Sequence, residues 1–285
     1  MKRSIRTLGY EVRRSQLQPV RDLSDLGNDP ITAQYLCDPA RIDAPIVDGR
    51  GLWFHPLTAE KHPFVATALE LAVGRNFEGQ PRRCLDTFYA MSQPASFAEW
   101  TGVGESNPTL AQTPAWGIAM PWVMDRSVAE QQYVMAGVYW REASLAGQAL
   151  PISEFYPLAG PLSEQGIQIE LDRLASIVES LQTSGYVNTD ADDGDIEAWW
   201  LTTSGRDWTW CIGVGQHRAA AVAALGAEHV PVRVRGIVRR SDARAWPGVV
   251  RGYFTVAEAE ALFDLIVSGE LPPLARQWAD TFQAP

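Results

Sequence analysis

Apolar residues recur at helical spacing at Ile167, Leu171, Leu174, Val178 and Leu181, which predicts a helix that Ser184-Gly185 stops. Two short β-prone runs follow, Ile196 to Thr202 and Trp208 to Val214. Between them Thr203-Ser204-Gly205-Arg206-Asp207 has the length and the glycine of a hairpin loop. An alanine-rich stretch after Gly215 reads as a helix ending near Gly226, and Val230-Pro231-Val232-Arg233-Val234 alternates apolar and polar like a further strand. The predicted order is helix, strand, strand, glycine turn, helix, strand.

The first 160 residues read as mainly helical. Pro63 suits a first helical position, with Phe64, Val65, Ala68, Leu69 and Ala72 as the apolar face and Gly74 as the stop. Ser96-Phe97-Ala98-Glu99 and Ser127-Val128-Ala129-Glu130 fit the capping box, and the second predicts a helix to about Gly147. Gly102 to Pro121 reads as a loop. Near the C-terminus Thr255-Val256-Ala257-Glu258 is another capping box, opening a helix with Ala261, Leu262, Leu265 and Ile266 on its apolar side and closing at Gly269.

The stretch Cys211-Ile212-Gly213-Val214-Gly215-Gln216-His217-Arg218-Ala219-Ala220-Ala221 is the most chemically specific. A strand that turns through glycine straight into a helix leaves the first helical N–H groups pointing outward, with the positive end of the helix dipole behind them. Arg218 adds a fixed charge, so Gly215, Gln216, His217, Arg218 and Ala219 form a candidate phosphate cradle. A turn that merely caps a buried helix is the competing explanation.

These elements and their wording, over roughly Pro161 to Gly236, resemble the ParB/sulfiredoxin superfamily. Leu171-Asp172-Arg173-Leu174-Ala175-Ser176-Ile177 with Gly185 matches the helix before the hairpin, Gly215-Gln216-His217-Arg218-Ala219-Ala220-Ala221 the family's turn, and Leu225-Gly226-Ala227-Glu228-His229-Val230-Pro231-Val232 its trailing strand. Two departures bear on function. ParB proteins that bind cytidine triphosphate carry adjacent arginines in the turn, whereas this chain has His217 before Arg218. Sulfiredoxins carry their reacting cysteine where Gln216 stands, which argues against that chemistry. The Gly-x-His-Arg wording is similar to superfamily members that phosphorylate small hydroxyl compounds, free serine included. The resemblance implies an α+β fold: a mainly helical region over residues 1–160, then a ParB/sulfiredoxin-like mixed-sheet domain with a helical C-terminal extension over residues 161–285.

The 285 residues, 46% hydrophobic and with 11 tryptophans, are ample for a large core. A formal charge of −10 disfavours a nucleic-acid partner, because backbone affinity comes from Lys and Arg neutralising phosphates. The charge is uneven: Gly205 to Arg251 holds eight arginines against three acids, +5, which leaves −15 on the rest. That local field suits a small polyanion, or else pairs with carboxylates of the acidic first half. Arg239, Arg240 and Arg244 are candidates for outer phosphates while Arg218 holds an inner one.

Cys37, Cys84 and Cys211 are too few and too scattered for a disulfide framework or a zinc site, and Cys211 between apolar neighbours reads as a small buried hydrophobe. The first nine residues put no apolar core behind their basic ones, so no ordinary secretion signal is expected. No apolar run of ~18 residues suggests a membrane span. A soluble, cytoplasmic protein is the expectation.

Other candidates are weaker. His55 and His62, each before a proline, lack a third ligand and read as packed turns rather than a metal site. Trp100, Trp116, Trp122, Trp140, Trp199 and Trp200 offer either a stacking shelf or core packing. Asp190-Ala191-Asp192-Asp193-Gly194-Asp195 lacks the closing glutamate of a calcium loop and reads as a solvated turn; Asp192 and Asp195 remain candidates for holding magnesium over a nucleotide.

The leading expectation is a nucleotide-dependent phosphotransferase acting on a small hydroxylated substrate, with ATP, ADP or CTP and Mg2+ as cofactors. His217 is the candidate base, with Glu164 or a carboxylate of the acidic loop competing. The alternative is a non-catalytic sensor or docking module for a nucleotide or phosphosugar. A ParB-like nuclease ranks third, against the overall acidity.

Overall fold

The computed structural model describes residues 20–36, 39–74, 80–188 and 195–282. Its strands are β1 (Arg21–Asp22), β2 (Ala40–Pro45), β3 (Gly49–Gly51), β4 (His55–Pro56), β5 (Ile196–Thr202), β6 (Thr209–Val214) and β7 (His229–Arg239). The helices are α1 (Pro30–Leu36), α2 (Pro63–Ala72), α3 (Gln80–Met91), α4 (Phe97–Thr101), α5 (Pro108–Gln112), α6 (Val128–Leu145), α7 (Glu164–Ser184), α8 (Gln216–Ala224), α9 (Pro247–Val250), α10 (Val256–Ser268) and α11 (Pro273–Phe282). The α+β class read from the sequence is the class observed.

The strands form one mixed sheet in the order β1-β2-β7-β5-β6-β3-β4. β5 runs antiparallel to β6 and parallel to β7, while β2 and β3 flank that trio, β2 antiparallel to β7 and β3 parallel to β6. The region before residue 160, expected to be mainly helical, thus also supplies four strands of the same sheet. These strands are two to six residues long, too short for a period-2 pattern to stand out. β7 reaches 11 residues, past the predicted Val230–Val234.

Because side chains alternate across a strand, the sheet feeds two cores. Ile196, Ala198 and Trp200 of β5, Trp210 and Ile212 of β6, and Val230 and Val232 of β7 pack with Phe64, Phe88, Leu174, Val178, Ala220 and Trp278 from helices on one face. Leu201, Cys211 and Val238 pack on the other face with Trp122, Trp246, Phe254, Leu262 and Phe263.

Local chemistry explains the helix boundaries. α6 starts at a complete capping box, Ser127 Oγ accepting from Glu130 N at 3.2 Å and the Glu130 carboxylate from Ser127 N at 2.8 Å. Thr255 and Glu258 do the same for α10. Ser96 caps α4, but the Glu99 carboxylate accepts from Ala95 N, so this box is half made. Inside the stretch expected to be loop, Asn107 caps α5 and Pro108 opens it. Arg50, 8% exposed, donates to Ile266 O, Val267 O and Gly49 O, closing the last turn of α10 onto β3.

The two histidines before prolines are structural. His62 Nδ1 accepts from Phe64 N at 3.1 Å and so caps α2, and His55 Nδ1 donates to Lys61 O at 2.7 Å. Burial drives both to the neutral form, His55 down to about 4 and His62 well below its usual value, the latter helped by the nearby rings of His55 and His217. In the unfolded chain both titrate near 6.5. Unfolding in acid therefore takes up protons: stability is full above about pH 6.5 and falls on acidification, on the order of 1 kcal/mol per pH unit for each histidine. Urea midpoints should hold level from pH 8 to 7 and drop between pH 6.5 and 4. The variant His55→Asn, which keeps a donor for Lys61 O, should flatten that slope; an unchanged slope would mean that His55 is charged in the fold.

Candidate functional site

At the junction of β6 and α8 the chain turns through Gly215, whose φ of +88° is left-handed. A Cβ there would stand 3.0 Å from Ile196 Cα and 3.1 Å from Asp195 O. Glycine is thus required twice over, by conformation and by contact. The first three amides of α8 have no acceptor within the helix, and Gly215 offers no side-chain cap. Ala219 N already donates to Gly215 O at 3.0 Å, so the expected cradle ends one residue earlier, at Arg218.

This turn forms one end of a cavity of about 650 Å3, a size suited to a small ligand. Gly213, Gly215, Gln216, His217, Arg218, Arg235 and Asp195 line the polar end. Phe64, Trp53, Trp100, Trp116, Tyr139 and Tyr156 line the apolar remainder, with Glu142 and Glu170 between. Burial holds the phenols of Tyr139 and Tyr156 well above their usual range, so both are neutral. Trp100 and Trp116 serve as cavity wall, whereas Trp122 and Trp200 are core and Trp140 is exposed.

Two irregularities of the sheet aim cationic chemistry at this cavity. Both ladders of β5 slip at Ala198: Gly213 is passed over on β6, and Arg235 on β7. Such bulges re-aim a side chain. Arg235 lies over the Trp199 ring at 5.6 Å, and its Nη1 sits 2.9 Å from where a Gly213 Cβ would be. Arg218 lies over Tyr186 at 5.7 Å, and its buried Nη1 has no hydrogen-bond partner among the described residues. Neither arginine is paired with a carboxylate among those residues.

The other turn residues have defined partners. Gln216 folds back, its Oε1 accepting from Leu52 N at 2.9 Å and its Nε2 donating to Ile212 O at 3.0 Å. Its side chain is therefore a clamp, and only its backbone remains for an anion. The clamped residues, Leu52 and Trp53, have φ of +46° and +70°, a conformation that costs a non-glycine residue ~1–2 kcal/mol. Cys211 Sγ donates to Trp53 O at 3.3 Å, making a second tie to the same turn. Burial pushes the Cys211 thiol far above its usual value, in line with a structural role, and raises that of Cys84 to about 12.

His217 Nε2 lies 2.6 Å from Glu170 Oε2, and its ring stacks on Phe64 at 4.9 Å. Glu170 is fully buried, and its other oxygen accepts from Arg173 at 3.1 Å. Arg173 continues to Glu142, donating to its carboxylate at 3.3 Å and its carbonyl at 2.9 Å. Burial raises the Glu142 carboxyl, against the pull of Arg173. A histidine oriented by a buried carboxylate in a cavity wall is the arrangement of a general base.

The expected competing base, Glu164, stands elsewhere. As the first residue of α7 its side chain is 88% exposed and meets Arg82 at 3.4 Å. Glu170, two turns on, occupies the place expected of it. Arg239, Arg240 and Arg244 are also remote. Ile196 at the near end of β5 pairs with Val232, whereas Arg239 pairs with Thr202 at the far end, roughly 20 Å away at ~3.3 Å per residue. There Arg239 bonds Gln34, Arg240 bonds Asp264 and Glu260, and Arg244 is exposed. Asp195 lines the cavity but faces Arg41 at 3.6 Å, and Asp192 lies outside the described residues. Among the described residues no cluster of three or more His, Cys, Asp or Glu could hold a metal ion. No helix among them is long and apolar enough to cross a membrane.

No protein-family model and no curated protein matches the chain.

Two substitutions check this geometry. Gly215→Ala should cost on the order of 2 kcal/mol in urea unfolding; a loss below ~0.5 kcal/mol would show that the turn is not held left-handed. Glu170→Gln should cost on the order of 3 kcal/mol, because it strips the shared carboxylate from Arg173 and His217.

Proposed function

We propose that the cavity binds a small phosphorylated molecule and that the protein is a phosphotransferase moving a phosphoryl group from a nucleotide to a small hydroxylated substrate. One observation carries the reading: His217, held by buried Glu170 at 2.6 Å, stands in the wall of the cavity that Gly215 and Arg218 also line. Phosphoryl transfer asks for a cradle, a neutralising charge and a base near the acceptor. The α8 amides, Arg218 with Arg235, and His217 would fill those roles in turn. The resemblance of Pro161 to Gly236 to the ParB/sulfiredoxin superfamily supports the same assignment.

In this reading a free nitrogen of the His217 ring takes the hydroxyl proton as the substrate oxygen attacks phosphorus, and the bridging oxygen of the nucleotide leaves with its bonding pair. Glu170 stabilises the resulting imidazolium. The Arg218 Nη1 without a partner fits an anionic oxygen, and the absent side chain at Gly215 lets that oxygen approach the backbone.

A second reading, a non-catalytic sensor of a nucleotide or phosphosugar, draws on a different observation. With Arg239, Arg240 and Arg244 at the far end of the sheet, Arg218 and Arg235 are the two arginines lining the cavity, few for a triphosphate.

Thermal shift with ATP, ADP and CTP, each with and without Mg2+, combined with phosphoryl-transfer and phosphate-release assays, separates the two. The phosphotransferase predicts a shift together with turnover, and His217→Gln should cut turnover at least ~100-fold while keeping the shift. Shift without turnover for every nucleotide supports the sensor; neither would overturn the phosphotransferase and leave the sensor only a phosphosugar.

A further inference from the structure

Resting on the anion site and on the second, non-catalytic reading rather than on a nucleotide donor, we propose that the cavity's ligand carries a single phosphate on a flat ring, and that Trp53 is the residue that stacks on the ring. Charge sets the first half. Among the acids lining the cavity, Asp195 faces Arg41, while Glu142 and Glu170 share Arg173, with His217 also on Glu170. Arg218 and Arg235 are left without a carboxylate among the described residues. Two guanidinium charges balance one phosphate monoester, at about −1.5 to −2, whereas the surplus charge of a triphosphate would meet no further arginine among the described residues of the lining.

The shape and lining of the cavity set the second half. Its lining includes the aromatic residues Trp53, Phe64, Trp100, Trp116, Tyr139 and Tyr156 beside aliphatic ones such as Met135 and Leu158, which suit the faces and edges of a ring rather than a sugar chain rich in hydroxyls.

The third observation is the strained turn. Leu52 and Trp53 are the first two residues of the three-residue link from Gly51 to His55, and both stand at positive φ, where Asn or Gly is the usual residue. Gln216 ties Leu52 N from the phosphate turn itself, and Cys211 ties Trp53 O from the strand leading into it. Strain held by two ties at a cavity wall marks a side chain kept for its position. The indole meets Trp122 edge-on at 6.3 Å. Through Gln216 the phosphate turn and the stacking residue are set by one side chain, which fixes the spacing between phosphate and ring.

Calorimetric titration of the full chain with inorganic phosphate, phenyl phosphate and ATP tests this. Phenyl phosphate should bind at least ~10-fold tighter than inorganic phosphate and tighter than ATP. Trp53→Asn, a residue at ease in the left-handed region, should remove that margin while preserving phosphate affinity and the urea midpoint to within a small loss; Trp53→Phe should restore part of it. Equal affinity for phenyl phosphate and phosphate, a margin that survives Trp53→Asn, or ATP binding tightest would each overturn the proposal while leaving the anion site in place. Binding of none of the three would remove the phosphate-binding reading beneath it.

Discussion

β6 gives way to α8 within one residue, and only a left-handed backbone without a Cβ can make that turn against Ile196 and Asp195. The three side chains that follow are thereby fixed in direction. Gln216 goes back to the sheet and the β3–β4 turn, His217 to Glu170 on α7, and Arg218 to the face of Tyr186. One helical turn thus ties together the sheet, its edge hairpin and the longest described helix, and it sets the amides between them toward the cavity. A side chain at Gly215 would disturb all of these contacts together.

The polar chain from His217 through Glu170 and Arg173 to Glu142 crosses three helices, α8, α7 and α6. A fully buried carboxylate is tolerated only when its oxygens are satisfied, and Glu170 has one partner on each. Hydrophobic packing of equal volume would serve stability at least as well. The ionic arrangement orients an imidazole, which an apolar residue could not do.

Much of the C-terminal half was legible in the sequence because its signals are local: the α7 periodicity, the hairpin glycine, the alanine-rich helix and the full capping box at Thr255. Gly215, His217 and Arg218 were found for the same reason. What escaped is non-local. Glu170 sits among the apolar positions of an amphipathic helix and gains its role only from His217, 47 residues on. Arg235 reads as an outward strand residue until the bulge is known, and Trp53 as ordinary packing until its φ is seen. The arginines at 239, 240 and 244 are close to Arg233 and Arg235 in sequence, but an extended strand carries them toward the far end of the sheet.

The sheet order has a consequence for how the chain reaches its native state. β2 pairs with β7 through Arg41 and Arg233, and β3 pairs with β6 through Arg50 and Cys211, so these two strands each find a neighbour more than a hundred and fifty residues downstream. During synthesis those strands emerge long before their partners, and their hydrogen-bonding edges stay open meanwhile. Closing such long loops is entropically slow, which places assembly of the cavity among the last events of folding.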